Sequence, residues 1–227
     1  MKKLIILTLF LSLFCHGLPA WGGEATTVVK GAIDGSLKIL SDPRFQAKDQ
    51  KEAQREQIWG LIRGIFDFTE VSKRALARNW RLFSPTEKEA FTIAFSELLG
   101  NTYIDKIQTG FNNDKVDYLS EDLISDTKVL VKTKIIREMY EIPIDYKLSN
   151  KSGDWKVYDI SVEGVSLVKN YRSQFRKYLS KKKPGQLIQR LKDKTARQKK
   201  KRQALYRVPL KWRNTFGMNS DDQWKAA

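Results

Sequence analysis

Nucleophilic and metal-binding side chains are scarce in this sequence. The 227 residues include one cysteine, Cys15, and one histidine, His16. Both lie in residues 1–20, where two lysines precede an apolar run that ends at Phe14, an arrangement typical of a cleaved secretory signal peptide. The run is too short to cross a bilayer core of about 30 Å as a helix. We therefore expect an exported chain with no disulfide, no Ser-His-Asp triad and no histidine or cysteine metal site.

Carboxylate pairs are the remaining groups that could perform acid–base chemistry. The pairs that lie close in sequence are Glu87 with Glu89, Glu121 with Asp122, and Asp159 with Glu163. The first pair is near a predicted helix start, where negative charge is favourable, the second falls in a predicted polar loop, and the third flanks strand positions. The sequence contains no glycine-rich phosphate loop and no calcium-loop motif. We interpret the pairs as capping or solvated groups and predict no enzymatic activity, no metal and no cofactor.

Helical periodicity dominates the first half of the chain. Apolar residues three and four apart predict a helix over residues 25–40, a charged helix from about residue 49, and a short helix that Thr69 can cap. The strongest local signal is a capping box at Ser84, where proline occupies the first helical position and glutamate the third. This signal predicts the start of a long amphipathic helix whose apolar side is rich in aromatic residues.

Alternation of apolar and polar residues then indicates strands. The segments with this pattern are residues 128–136, 140–149 and 154–163, and residues 115–119 add a further candidate. The turn that contains Gly153 joins the last two segments as a hairpin, and Pro143 favours an edge or irregular strand. Short connections make the sheet antiparallel. Because helical periodicity returns after Gly164, we predict an α+β fold with helices packed on an antiparallel sheet of about four strands.

Positive charge is concentrated near the C-terminus. Residues 195–227 carry nine basic and two acidic side chains, in a chain of formal net charge +16. We expect three parts: a signal peptide over residues 1–20, one domain over residues 21–194, and a basic tail with interfacial aromatic residues over residues 195–227. The tail is interpreted as a solvated extension, with contact to an anionic membrane surface or a protein partner as the other interpretation. A secreted basic module that binds nucleic acid or another anionic polymer is the alternative function, although export argues against a nucleic-acid partner.

The passage from the last strand into the following helix is unusually aromatic. Residues 154–175 include Trp155, Tyr158, Tyr171 and Phe175. Such rings serve either as ordinary core or as the wall of a cavity for an apolar ligand, and the sequence leaves both interpretations open.

Two stretches of the chain resemble the MlaC or toluene-tolerance family, whose members are periplasmic phospholipid-binding proteins. They are "FDFTEVSKRALARNWRLFSPTEKEAFTIAFSELLGNTY", residues 66–103, and "GDWKVYDISVEGVSLVKNYRSQF", residues 153–175. The resemblance extends over about residues 24–194, and the tail has no counterpart in it. It implies a strongly curved antiparallel sheet and helices that enclose a deep apolar cavity for acyl chains. It also implies a carrier without ATPase activity that moves phospholipid between an outer-membrane lipoprotein complex and an inner-membrane ABC transporter complex.

The resemblance and the apolar patterns together suggest the residues that would line such a cavity. They are Phe66, Val71, Trp80, Phe91, Phe95, Leu98, Tyr103, Val131, Ile135, Ile144, Tyr146, Tyr158, Ile160, Val165, Val168, Tyr171 and Phe175. We expect the strand members to face Phe91, Phe95 and Leu98 on the long helix. Two acyl chains expose on the order of 30 methylenes, or roughly 25 kcal/mol at about 0.8 kcal/mol each, so a carrier must enclose them almost fully. The expected cavity is near or above the upper end of the usual range of about 300–1,000 Å³.

Overall fold

The computed structural model describes residues 23–151 and 153–207. The predicted signal peptide and residues 208–227 of the basic tail lie outside the described residues. The α-helices are α1 Glu24–Ser41, α2 Lys51–Ile65, α3 Phe68–Leu76, α4 Pro85–Gly110, α5 Leu167–Leu179 and α6 Pro184–Arg207. The strands are β1 Lys115–Ser125, β2 Lys128–Ile136, β3 Glu141–Lys151, β4 Asp154–Val162 and β5 Val165–Ser166. None of the helices described is long and apolar enough to cross a membrane.

The strands form one antiparallel sheet in the order β1-β2-β3-β4-β5, so each strand pairs with the next along the chain. The predicted α+β class is confirmed, with a fifth strand of only two residues after Gly164. The register shifts between Tyr118 and Ser120 in β1 and at Lys147–Leu148 in β3. Shifts of this kind bend the strands and increase their twist, and the sheet is curved but not closed.

Helices α3 and α4 each begin at a residue whose side chain caps the helix. The predicted capping box of α4 is confirmed, because Ser84 accepts from the Glu87 amide at 3.2 Å and Glu87 accepts from the Ser84 amide at 2.9 Å. The predicted cap Thr69 is wrong. Asp67 caps α3 instead and accepts from the Glu70 amide at 2.8 Å. An ionised side chain that meets the positive end of the helix dipole suits this position.

The turn from β4 into α5 explains several polar residues of the second family-like stretch. Glu163 and Gly164 both have positive φ, +49° and +78°, and form the turn between β4 and β5. Asp159 is buried and accepts from the Ser166 hydroxyl at 2.7 Å and from the Val168 amide at 3.1 Å. Ser166 is in turn the N-cap of α5. Asp159 and Glu163 therefore serve turn and capping roles, as interpreted from the sequence.

The aromatic side of α4 packs into a helical core formed with α3, α5 and α6. Phe91, Phe95, Tyr171 and Phe175 lie at its centre, each no more than 6% exposed. Their ring centroids are 4.9–5.5 Å apart, mostly in edge-to-face geometry. Rings at these distances are in direct contact, so this group of aromatic residues is a packed core.

Helix α6 crosses the boundary expected between residues 194 and 195. Thr195 and Arg202 are buried, and Gln198 donates to the Thr102 hydroxyl on α4 at 3.0 Å. The interpretation of this segment as a solvated extension therefore does not hold for its first part. Residues 195–207 continue the helix, and its part up to Arg202 packs on the body of the domain.

A buried charge cluster joins α6 to α2 and α4. Arg55 donates to the carbonyl oxygens of Gly100 and Asn101 at 3.1 and 2.9 Å and also binds the Asp105 carboxylate. Arg202 donates a bidentate pair of hydrogen bonds to the Glu52 carboxylate at 3.0 and 3.1 Å, and a further bond to the Asn101 side-chain oxygen at 3.2 Å. The two guanidinium groups share carboxylate and amide partners, so three helices are held by one polar network.

Candidate functional site

One face of the sheet, the inner face, gathers apolar side chains from neighbouring strands. The register places Val131 opposite Tyr146, and Tyr146 opposite Ile160. Directly opposed residues project from the same side of a sheet. Beyond the register shift, Leu148 lies opposite Val157 on this face. The sequence pattern thus builds a continuous apolar surface across the central strands.

Helix α1 covers one end of the inner face. This covered end consists of Val129, Val131, Leu148 and Val157. Each of these side chains is at most 4% exposed, because Ala25 and Val29 of α1 pack directly against them. The apolar stripe that predicts α1 from the sequence is therefore the part of the helix that contacts the sheet.

The other end of the inner face is open. This open strip consists of Ile135, Ile142, Ile144, Val162 and Val165. Opposed pairs link its members, including Ile135 with Ile142 and Val162 with Val165. Val162 is 39% and Val165 65% exposed, and the described hydrophobic clusters do not include the strip. A half-covered apolar face can take up an extended apolar ligand that slides from the open strip toward α1.

Hydrogen bonds to β1 hold α1 against the sheet. The Glu121 carboxylate accepts from the Thr26 amide at 2.8 Å and from its hydroxyl at 2.7 Å, next to the positive end of the helix dipole. A Cβ at Gly23 would stand 2.1 Å from a Glu121 oxygen, so a larger residue there would displace the Glu121 carboxylate. Further along the helix, the Tyr118 hydroxyl donates to Asp34 at 2.8 Å. Sequence analysis placed Glu121 in a polar loop, whereas it lies in β1 and acts as a capping group.

A pocket of about 370 Å³ lies between α1, α2 and the start of β4. Val28, Leu61, Ile65 and Trp155 form much of its apolar wall. The Trp155 indole donates to Glu24 at 3.2 Å, which joins this wall to the first turn of α1. The pocket is at the low end of the usual range for ligand sites and does not reach the volume expected for two enclosed acyl chains.

Two tyrosines at the inner face, Tyr146 and Tyr118, have raised pKa values. Burial raises the pKa of Tyr146. Burial, together with the hydrogen bond to Asp34, also raises the pKa of Tyr118. Burial would raise the pKa of Asp34, but hydrogen bonds from Lys30 and Tyr118 outweigh it and hold that pKa below its usual value. A tyrosine of ordinary pKa, about 10, is already neutral at pH 7, and these shifts move both phenols further from ionisation.

The residues predicted to line a cavity separate into two groups in space. The helical core contains Val71, Phe91, Phe95, Leu98, Val168, Tyr171 and Phe175, with Trp80 and Tyr103 at its margin. The inner face contains Val131, Ile135, Ile144, Tyr146, Ile160 and Val165. Phe66 packs against both groups. The strand members do not face Phe91, Phe95 and Leu98 as expected, because α4 packs its apolar side on other helices. Val131, Tyr146 and Ile160 pack in the cluster that includes α1, and the remaining strand members lie in the open strip.

Tyr158 is the strand residue whose position the alternating pattern misjudges. The register shift beside Leu148 leaves Tyr158 without an opposed partner in β3 and places Val157 opposite Leu148. The centroid of the Tyr158 ring instead lies 4.1 Å from the Arg74 guanidinium carbon, outside the inner-face cluster. Sequence analysis missed Val157 for the same reason, since a bulge breaks the period of two that it relied on.

These features define a class of α+β proteins in which helices pack on a curved antiparallel sheet that presents an apolar face. The chain belongs to the MlaC protein family, whose model matches residues 30–193. The resemblance stated from the two sequence stretches is thereby confirmed.

Three similar proteins come from different bacteria. The intermembrane phospholipid transport system binding protein MlaC of Haemophilus influenzae is 29% identical over 105 residues, which are 44% of this chain and 49% of that protein. The toluene tolerance protein ttg2D of Pseudomonas putida is 23% identical over 150 residues, 65% of this chain and 69% of that protein. The structure of a phospholipid-binding protein from Ralstonia solanacearum, in complex with a phospholipid, is 27% identical with a TM-score of 0.69 and covers 78% of this chain and 99% of that one.

Proposed function

We propose that this protein binds a phospholipid through the inner face of its sheet and carries it through the periplasm. The observation that carries the proposal is the open strip, an apolar surface of half-buried and exposed side chains next to the covered end beneath α1. Membership in the MlaC family and the likeness to a protein solved with a phospholipid support the same ligand.

The acyl chains enter at the open strip and run toward α1, and the headgroup stays near solvent. Each methylene that leaves water contributes about 0.8 kcal/mol, so binding improves with every step along the apolar face. The pocket of about 370 Å³ beside α1 is small for two chains. Binding of a whole phospholipid therefore requires α1 to move away from the covered end. This movement would break the hydrogen bonds that join α1 to Glu121 and Tyr118.

The residues that we assign to lipid contact are a subset of those predicted from the sequence. They are Phe66, Val131, Ile135, Ile144, Tyr146, Ile160 and Val165, together with Ile142 and Val162 of the open strip. The aromatic residues of α4 and α5 serve as the packed core that holds the sheet and helices in place. Under this proposal, the aromatic residues of α4 and α5 are core and not cavity wall.

Carriage rather than catalysis is the role that this site supports. We propose that the protein receives phospholipid at one membrane and delivers it at the other, with an outer-membrane lipoprotein complex and an inner-membrane ABC transporter complex as its partners. The printed name of the Haemophilus relative, a binding protein of an intermembrane phospholipid transport system, supports this assignment. Export by the predicted signal peptide would place the chain between the two membranes.

The test combines lipid identification with matched charge substitutions. Mass spectrometry of protein purified from the periplasm should find co-purified phospholipid, and the protein should take up labelled phospholipid from vesicles. Ile144→Glu and Val162→Glu put a charge in the open strip and should lower uptake at least about tenfold, since an ionised carboxylate is costly to bury. The control Ile93→Glu changes a residue that is 53% exposed on α4, a helix that packs mainly on other helices, and it should leave uptake unchanged.

Two results would contradict the proposal. One is the absence of both co-purified phospholipid and vesicle uptake in the unmodified protein. The other is uptake by Ile144→Glu and Val162→Glu equal to that of Ile93→Glu, with all three variants folded by circular dichroism. The second result would leave lipid binding in place but remove the inner face as its site.

A further inference from the structure

A second pocket, separate from the inner face, lies where the end of α3 meets α5. Its volume is about 270 Å³ and its lining is Leu76, Ala77, Arg78, Asn79, Arg172 and Arg176. Three of the six lining residues are arginines, and no carboxylate is among them. The whole of α5 and the turn over residues 77–82 also lack aspartate and glutamate. The pocket is therefore strongly positive without a neutralising group of its own.

The arginine side chains keep most of their hydrogen-bonding capacity free. Arg172 donates through Nε to the Arg74 carbonyl oxygen at 2.9 Å, which fixes the side chain while its Nη atoms make no bond to the described residues. Arg78 and Arg176 have no side-chain hydrogen bond and no ion pair within the described part of the chain. In contrast, nearby Arg74 is paired with Glu70 at 2.8 Å.

A purely structural role accounts for only part of this arrangement. Arg172 stabilises the carboxyl end of α3, where carbonyl oxygens lack helical partners. That role uses one of its five N–H groups and does not involve Arg78 or Arg176. Arg172 and Arg176 are four residues apart on α5, and like charges at that spacing repel each other. Ala77, in the pocket wall, has φ +50° and ψ −126°, a conformation that costs a non-glycine residue energy.

We propose that this pocket binds a phosphate group. Guanidinium groups match phosphate oxygens in charge and in geometry, and paired N–H···O bonds to phosphate are among the strongest hydrogen bonds in proteins. A volume of about 270 Å³ is sufficient for a phosphate group with some of its water. The phosphate comes either from the headgroup of a membrane lipid or from a free phosphate ion, since both present the same oxygen atoms.

The test measures binding of inorganic phosphate to the full chain by isothermal titration at low salt. Arg78→Gln and Arg176→Gln should each weaken binding about tenfold or more, because each removes a charge-assisted hydrogen bond. The control Arg197→Gln removes the same charge from an exposed position on α6 and should change the dissociation constant less than about twofold. Ile144→Glu, which tests the lipid site, should leave phosphate binding unchanged, so the two proposals can fail independently.

A second arm identifies the source of the phosphate. Flotation with vesicles of phosphatidylglycerol and of phosphatidylcholine is compared for Arg176→Gln and Arg197→Gln. A larger loss of flotation for Arg176→Gln supports a lipid headgroup, whereas weaker phosphate titration with equal flotation supports the free ion. The proposal is overturned when the unmodified protein shows no saturable phosphate binding, or when Arg78→Gln and Arg176→Gln match Arg197→Gln in both measurements.

Discussion

Replacing Arg202 with alanine should destabilise the protein although this residue lies beyond the region that matches the family model. Its side chain is 7% exposed and binds Glu52 through two bonds of 3.0 and 3.1 Å. Loss of one partner of a buried ion pair costs about 3–5 kcal/mol. Glu52 is 50% exposed and can regain water, and the repulsion between Arg202 and Arg55 also disappears. We therefore expect a decrease of about 2–3 kcal/mol in the free energy of unfolding, in the range of a charged hydrogen bond.

Urea unfolding of Arg202→Ala and of the matched control Arg197→Ala measures this difference. Arg197 is exposed on the same helix, so its substitution should change the free energy of unfolding by less than about 0.5 kcal/mol. A double-mutant cycle with Glu52→Gln should give a coupling energy above about 0.5 kcal/mol. A chain ending at residue 194 should lose more stability than Arg202→Ala, because it also lacks the buried Thr195 and the bond from Gln198 to Thr102. Equal stability of Arg202→Ala and Arg197→Ala would refute the reasoning.

Two further predictions concern the free energy of unfolding, which denaturation measures. Gly60→Ala should raise the free energy of unfolding by about 0.5–1 kcal/mol, because no atom lies within 4 Å of the added Cβ on α2; Gly100→Ala should give no gain, because its Cβ would stand 3.0 Å from the Trp59 ring. Burial would raise the pKa of Glu70, but the hydrogen bond from Lys151 and nearby positive charge hold it below its usual value. The stability that this provides is present above the unfolded pKa and is lost as pH falls through the folded one, so Glu70→Gln should flatten the acid limb of an unfolding-versus-pH curve.

Local signals in the sequence predicted local structure well. The capping box at Ser84 and the turn at Gly153 depend on neighbouring residues alone, and both occur as predicted. The alternating segments predicted β2, β3 and β4, since a period of two follows directly from strand geometry. The family resemblance was based on two stretches, and the second contains Asp159, whose contacts make the β4–α5 turn.

Which helices and strands pack against each other could not be predicted in the same way. An amphipathic pattern shows which side of α4 is buried, but not that Phe95 meets Tyr171 of α5 rather than the strands. Arg55 and Arg202 resemble ordinary surface charges in the sequence, because their burial depends on helices that are distant along the chain. Tyr158 was wrongly predicted to lie on the inner face, because a bulge reverses side-chain direction and the apolar pattern of the sequence does not show it.

The buried charge cluster also affects the order in which the chain can fold. Each strand pairs with the next, so the sheet forms from contacts of short sequence separation. The bond between Glu52 and Arg202, in contrast, closes a separation of 150 residues. Closure of long loops carries a larger entropic cost, and contacts of this kind slow folding. The bonds of Arg55 to α4 need no part of α6. Those that Arg202 makes with Glu52 and Asn101 form only after α6 has been synthesised, so they complete the cluster.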